Sequence, residues 1–269
     1  MIPRHASLFA TLAVIAGFGL PGAGQAQTDV FTAELRTGWR MDSGNQMVAF
    51  HLALKDGWKT YWRAPGDNGI PPSFDWSGSR NVKSVRIHWP RPKVFDVGGM
   101  ETIGYSHEFV LPVEIVPVDP AQPLTLKAAV DLGVCADICV PASFEVAAEL
   151  PRPGATDPAI NRALRQRPST VKEAGLKTVT CAMVPQKGGM KLTALMQMPS
   201  TGGPEVVVVE PGIDGVWVSP ADVSRNGNEL RAVVDLIAPG GVMALQRDAI
   251  VLTVLGKHRA VEIQGCAAP

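Results

Sequence analysis

The chain has 269 residues, with 25 Lys and Arg against 25 Asp and Glu, and four cysteines. Balanced charge without a run of Lys or Arg argues against a nucleic-acid partner held by electrostatics. The length suits one large domain or two of roughly 120 residues.

Residues 1–26 open on Arg4 and His5, run apolar from Leu8 to Leu20, and pass through small residues to Ala26. This is the pattern of a secretory signal peptide cleaved before Gln27, and its apolar core is short for a membrane span. Pro21 and the Gly/Ala stretch behind it fit processing better than an uncleaved anchor. Cleavage removes one cation and no acid, leaving one negative charge in excess. No later stretch approaches the ~18 apolar residues of a membrane helix. The predicted product is a soluble periplasmic protein. In that oxidising compartment an even number of cysteines predicts disulfides.

From residue 31 the chain reads as strands. "FTAELRTGW" (31–39), "QMVAFHLAL" (46–54), "SVRIHWP" (84–90), "EFVLPVEIV" (108–116), "LTLKAAVDLGV" (124–134) and "SFEVAAEL" (143–150) are short apolar or alternating runs separated by Gly, Pro, Asn and Asp. Period-2 alternation with turn residues between segments predicts a sandwich of antiparallel sheets. The pattern breaks over residues 151–172, where "DPAINRALRQR" predicts a short helix with Asp157 as N-cap and Pro158 at its first position. Strands resume in "LKTVTCAMV" (176–184), "MKLTALMQM" (190–198), "EVVVVE" (205–210), "ELRAVVDLIA" (229–238), "AIVLTVLG" (249–256) and "RAVEIQG" (259–265). The predicted organisation is all-β: one sandwich over 27–150, a partly helical linker over 151–172, and a smaller sandwich over 173–269.

The four cysteines are not equivalent. Cys181 lies in the first strand of the second half and Cys266 just past its last. First and last strands of a sandwich can be neighbours, so a Cys181–Cys266 bond would staple that half. Closing a loop of about 86 residues contributes on the order of 4.6 kcal/mol by chain entropy; a Cys135–Cys139 bond, closing about five, contributes about 2 kcal/mol before strain. Four steps along an extended strand span ~13 Å, whereas bonded cysteines need Cα atoms within about 7 Å. The segment 135–139 must therefore turn back on itself. Strained or exposed disulfides are the more reducible kind, which makes redox exchange the physical reading. An inert hairpin clip and a metal site stay open beside it, although no nearby His completes a tetrahedral set. The flanks are strands rather than the helix N-terminus that activates a thioredoxin-type thiol. This pair suits being attacked better than attacking.

Three blocks in order, "GWKTYWRAPGDNGIPPSFDW" (57–76), "WPRPKVFDVGGMETIGYSHEFVLPVEI" (89–115) and "DLGVCADICVP" (131–141), resemble the exported N-terminal region of the DsbD/ScsB family of transmembrane thiol-disulfide reductases, the ScsB-type branch above all. The resemblance implies immunoglobulin-like domains and a thiol-disulfide relay. In such a relay Cys135 and Cys139 form the redox pair, fed by a thioredoxin-like or membrane-embedded donor and discharging to periplasmic disulfide substrates. It also implies a cap loop over the cysteines, which falls within residues 95–105, with Phe95, Met100 or Tyr105 as the cover. By analogy Cys139 is favoured as the sulfur that forms the mixed disulfide. No cofactor or metal is implied. The three residues between the cysteines are fewer than in the DsbD-type pair. The sequence ends at Pro269 without membrane helices or a thioredoxin module, so the reading requires the donor to be a separate protein.

Two readings of other classes compete: a non-enzymatic binding or assembly module with structural disulfides, and a copper-tolerance protein using Met183, Met190, Met196 and Met198. On strand parity Met190, Met196 and Met198 serve core packing equally well. Trp58, Tyr61, Trp62, Trp76 and Trp89 read as core and sheet-surface aromatics. Spacing assigns Arg63 and Asp67 no role, and the histidines show neither metal nor triad spacing.

Overall fold

A computed structural model describes residues 26–66, 69–97, 100–150, 154–240 and 243–269. Apart from Ala26, the expected signal peptide lies outside them, as do Asp67 and linker residues 151–153. The first eleven strands are β1 (Ala26–Gln27), β2 (Phe31–Arg40), β3 (Gln46–Leu54), β4 (Lys59–Gly66), β5 (Ser73–Asp75), β6 (Val82–Ile87), β7 (Lys93–Val97), β8 (Met100–Ser106), β9 (Glu108–Pro117), β10 (Thr125–Cys135) and β11 (Cys139–Glu149). They make two antiparallel sheets, ordered β1-β2-β3-β9-β6 and β11-β10-β4-β8-β7, with β5 also paired to β10. Alternation decides which side chains meet between them. Leu126, Ala128, Val130, Leu132 and Val134 of β10 all point inward to Phe50, Leu52, Phe109 and Leu111 of the facing sheet.

Two helices follow. In α1 (Pro158–Arg165) the Asp157 carboxylate accepts from the backbone N–H groups of Ala159 and Ile160, the cap expected from the sequence. Ile160 is fully buried against Met47 and Ala49, which seats α1 on the outer face of β3 and β9. A single turn, α2 (Val171–Ala174), was not anticipated. Thr170 and Glu173 form a reciprocal capping box and Gly175 closes the turn at φ 69°.

The remaining strands are β12 (Thr178–Gln186), β13 (Gly189–Gln197), β14 (Val206–Glu210), β15 (Trp217–Val218), β16 (Asp222–Asn226), β17 (Glu229–Ile237), β18 (Val251–Leu255) and β19 (Ala260–Gln264). They form the sheets β12-β13-β17-β15, with β16 on β17, and β14-β18-β19. The fold is all-β, as the alternating runs predict, with the immunoglobulin-like first sandwich that the family resemblance implies.

The two sandwiches share a seam. Leu255 and Ala260 join the first core. The Arg63 guanidinium, stacked 4.5 Å from the Trp62 ring, donates to both oxygens of Glu210 at 2.9 Å and to Glu262 at 2.6 Å. These carboxylates raise the Arg63 pKa against the opposing effect of its burial. Sequence spacing gave no sign of this role.

Candidate functional site

β10 and β11 pair in register up to their common end, where Cys135 faces Cys139 across a turn of Ala136, Asp137 and Ile138. The turn is closed by Ala136 N–H donating to the Ile138 carbonyl at 3.0 Å. This is the fold-back that the spacing demands. It brings the two Cα atoms to 4.1 Å, and the cysteines are bonded. Their environments differ. Cys135 is 1% exposed, whereas Cys139 and the three turn residues are exposed. Ile138, 67% exposed, and Val140, 37%, leave an apolar rim at the tip.

β4 lies beside β10 at this end, pairing Lys59 with Cys135 and Thr60 with Val134. Paired residues in antiparallel strands share a face. Thr60 and Val134 turn inward, so Lys59, Tyr61 and Cys135 share the outer face. The Tyr61 hydroxyl sits 2.7 Å from Cys135 Sγ and 3.1 Å from Cys139 Sγ. Its ring crosses Gly133, where a Cβ would come within 3.1 Å of Tyr61 Cε2 and 2.8 Å of Ile70 Cβ. Glycine thus opens the space that lets the tyrosine lie over the disulfide. Burial raises the Tyr61 pKa, so the phenol keeps its proton. Sequence reasoning had placed Tyr61 among the packing aromatics and missed this role.

The three cap candidates separate. β8 pairs with both β4 and β7, and its alternation puts Met100 and Thr102 on the disulfide face and Ile103 and Tyr105 in the interior. Phe95 pairs with Thr102; the Lys59 ammonium lies 5.3 Å from the Phe95 ring and donates to Thr102 Oγ1 at 3.2 Å. Phe95 therefore reaches the cysteine neighbourhood through Lys59. Met100, 48% exposed, stands on the same face. Tyr105 corrects the expectation. It stacks on Phe109 at 4.1 Å between ring centroids and donates to the Pro90 carbonyl at 2.8 Å, so it lies on the opposite side of the sheet from the sulfurs. Gly98 and Gly99 lie outside the described residues.

The second cysteine pair has another setting. Cys181 on β12 is fully buried and bonded to Cys266, 85 positions later. Cys181 N–H donates to the Ala267 carbonyl at 2.9 Å and Ala267 N–H to that of Val179 at 3.1 Å, so the chain end is strapped to the first strand of its own sandwich. Met196 and Met198 are buried in the second core, with Met183 and Met190 packed against it. Their arrangement is accounted for by packing. Among the described residues no group of three or more His, Cys, Asp or Glu is placed to hold a metal, and no helix is long and apolar enough to cross a membrane.

Residues 27–151 match the family described as "Thiol:disulfide interchange protein DsbD, N-terminal". The structure is similar to the N-terminal periplasmic domain of ScsB from Proteus mirabilis, with a TM-score of 0.70 and 23% identity, covering 91% of this chain and 97% of that one. No curated protein matches the chain in sequence. Over residues 27–151 the chain is similar to the N-terminal domain of thiol:disulfide interchange protein DsbD, and its likeness to the ScsB domain is one of fold.

Proposed function

We propose that the chain is a periplasmic thiol-disulfide relay. Residues 27–150 act as its redox domain and residues 173–269 as a second, supporting sandwich. The observation that carries this reading is the asymmetric disulfide at the hairpin tip, one cysteine exposed and the other buried under a protonated phenol. A thiolate of a thioredoxin-like partner attacks Cys139 Sγ; the Cys135–Cys139 bond breaks and Cys135 leaves as a thiolate. Tyr61, 2.7 Å away, donates to that sulfur and lowers its basicity, and a less basic thiol leaves faster. The partner's second thiol then attacks its own sulfur in the mixed disulfide and releases Cys139. The partner dithiol is oxidised to a disulfide, and Cys135 and Cys139 are reduced to two thiols. The reduced pair passes the same two electrons to a periplasmic substrate disulfide. Phe95, beside Lys59, limits approach from the flank.

The test is to mix the oxidised protein with a reduced thioredoxin-like protein, alkylate, and map the labelled peptides. Label should enter Cys135 and Cys139 and spare Cys181 and Cys266; label in neither of the first pair would refute the reading. In the same assay Tyr61→Phe, which keeps the ring, should slow exchange roughly tenfold or more, the weight of a hydrogen bond to a charged sulfur. An unchanged rate would remove Tyr61 from the mechanism.

A further inference from the structure

Two clefts lie side by side where the first sandwich, α1 and the second sandwich meet. One, of about 160 Å³, is bordered by Arg91, Lys93 and Arg162; the other, of about 380 Å³, shares Arg91 and Lys93 and adds Arg165, Arg167 and Arg259. Arg167 is committed to Glu173 at 2.7 Å, and Arg259 donates to the carbonyls of Ala174, Pro199 and Ser200 at 3.4 Å. The one carboxylate bordering the smaller cleft, Glu108, faces His51 at 3.2 Å. Arg91, Arg162 and Arg165 are exposed and have no ion-pair partner among the described residues, and Lys93 reaches only a hydroxyl, Ser106 Oγ at 3.4 Å. Four cations without an ion-pair partner among the described residues thus converge on one region of a chain that has no net charge as a whole. The positions are fixed by the fold, because Arg91 N–H donates to the Gln166 carbonyl at 2.8 Å and ties the end of α1 to the β6–β7 connection.

We propose that this basic cleft binds an acidic polypeptide segment of the partner that exchanges thiols with Cys139. This rests on the relay reading for the partner's identity, though not for the binding itself. Three features select the occupant. Clustered like charges repel, and guanidinium forks match carboxylates in pairs, so anionic groups complement the site. The cations are spread along two joined clefts, which suits an extended ligand carrying several carboxylates better than one small ion. Finally, one cation of the cleft lies on the disulfide face. Lys93 pairs with Gly104, Gly104 with Tyr61, and Lys59 with Cys135, so Lys93 and Lys59 share the outer face of the sheet that carries the sulfurs. A polypeptide anchored there is steered toward the hairpin tip, which raises its rate of encounter in a salt-dependent way.

The test uses a fluorescein-labelled oligo-glutamate peptide, an oligo-glutamine control, and fluorescence anisotropy at low ionic strength. The protein carries Cys135→Ala with Cys139→Ala, so thiol chemistry cannot contribute. The glutamate peptide should bind, with the affinity falling as salt rises, and Arg91→Glu with Arg165→Glu should weaken it roughly tenfold or more. Lys83→Glu with Lys187→Glu, the same charge change at exposed positions elsewhere, should leave it within about twofold. Absence of binding, equal loss in both double variants, or binding unaffected by Arg91→Glu with Arg165→Glu would overturn the proposal. So would preferential co-sedimentation with phosphatidylglycerol vesicles in competition with the peptide, which would assign the cleft to lipid. With both cysteines present, the Arg91/Arg165 variant should exchange more slowly with an acidic thioredoxin-like protein yet react with dithiothreitol at the unaltered rate. Peptide binding without any such exchange would fault the relay reading and leave the acidic-segment site standing.

Discussion

Cys139→Ala should abolish capture of a thioredoxin-like partner, while Cys135→Ala should retain it as an unresolved mixed disulfide. The asymmetry follows from where the fold puts each sulfur. Cys139 begins β11 on the exposed side of the turn, and Cys135 ends β10 at 1% exposure beneath Tyr61. Exchange requires a thiol to approach along the S–S axis, so the exposed cysteine is the accessible end. With Cys135 removed, Cys139 still reaches a partner disulfide, but no neighbouring thiol releases the product. With Cys139 removed, the remaining thiol lies under a buried phenol and reacts slowly. Non-reducing electrophoresis with a partner disulfide reads the first effect, and the rate of iodoacetamide labelling reads the second. Capture by the Cys139→Ala protein, with none by Cys135→Ala, would reverse the assignment.

Removing the other disulfide should change stability and spare chemistry. Cys181→Ala with Cys266→Ala releases a loop spanning 85 positions and should cost about 4 kcal/mol, visible as a lowered urea midpoint. Cys181 is fully buried and belongs to the second core, whereas Cys135 and Cys139 sit at the far tip of a hairpin in the first sandwich. At temperatures where the variant stays folded, its exchange rate should match that of the parent. A folded variant that no longer exchanges would place Cys181–Cys266 in the redox path.

How far the sequence could be read depended on whether an interaction is local or crosses the sheet. Alternation in "LTLKAAVDLGV" and "MKLTALMQM" gave the inward faces of β10 and β13, because side-chain direction follows from position alone. The spacing of Cys135 and Cys139 gave the turn between them. Parity would also have shown that Met100 and Tyr105, five positions apart on one strand, point to opposite faces and cannot both cap the sulfurs. The small helix α2 had its signal in Thr170-x-x-Glu173 followed by Gly175, and was absorbed into the linker. Strand β16 likewise had the two-residue turn Gly227-Asn228 between it and β17. Tyr61 had no such signal. It meets Cys135 only because β4 pairs with β10, joining residues 74 positions apart, and strand order is not written in the local pattern. The Arg63 seam spans 147 and 199 positions and was hidden for the same reason.

The central claim is that Cys135–Cys139 is an exchangeable bond and Cys181–Cys266 a staple. Equilibration of the protein with thioredoxin-like and glutathione redox buffers, followed by acid quench, alkylation and peptide mass mapping, gives the potential of each bond separately. Cys135–Cys139 should titrate within the range of thioredoxin-like proteins, about −120 to −270 mV, and Cys181–Cys266 should stay oxidised until potentials below roughly −300 mV, where structural disulfides lie. A Cys135–Cys139 bond that also resists reduction to below about −300 mV, or that opens together with Cys181–Cys266, would contradict the account.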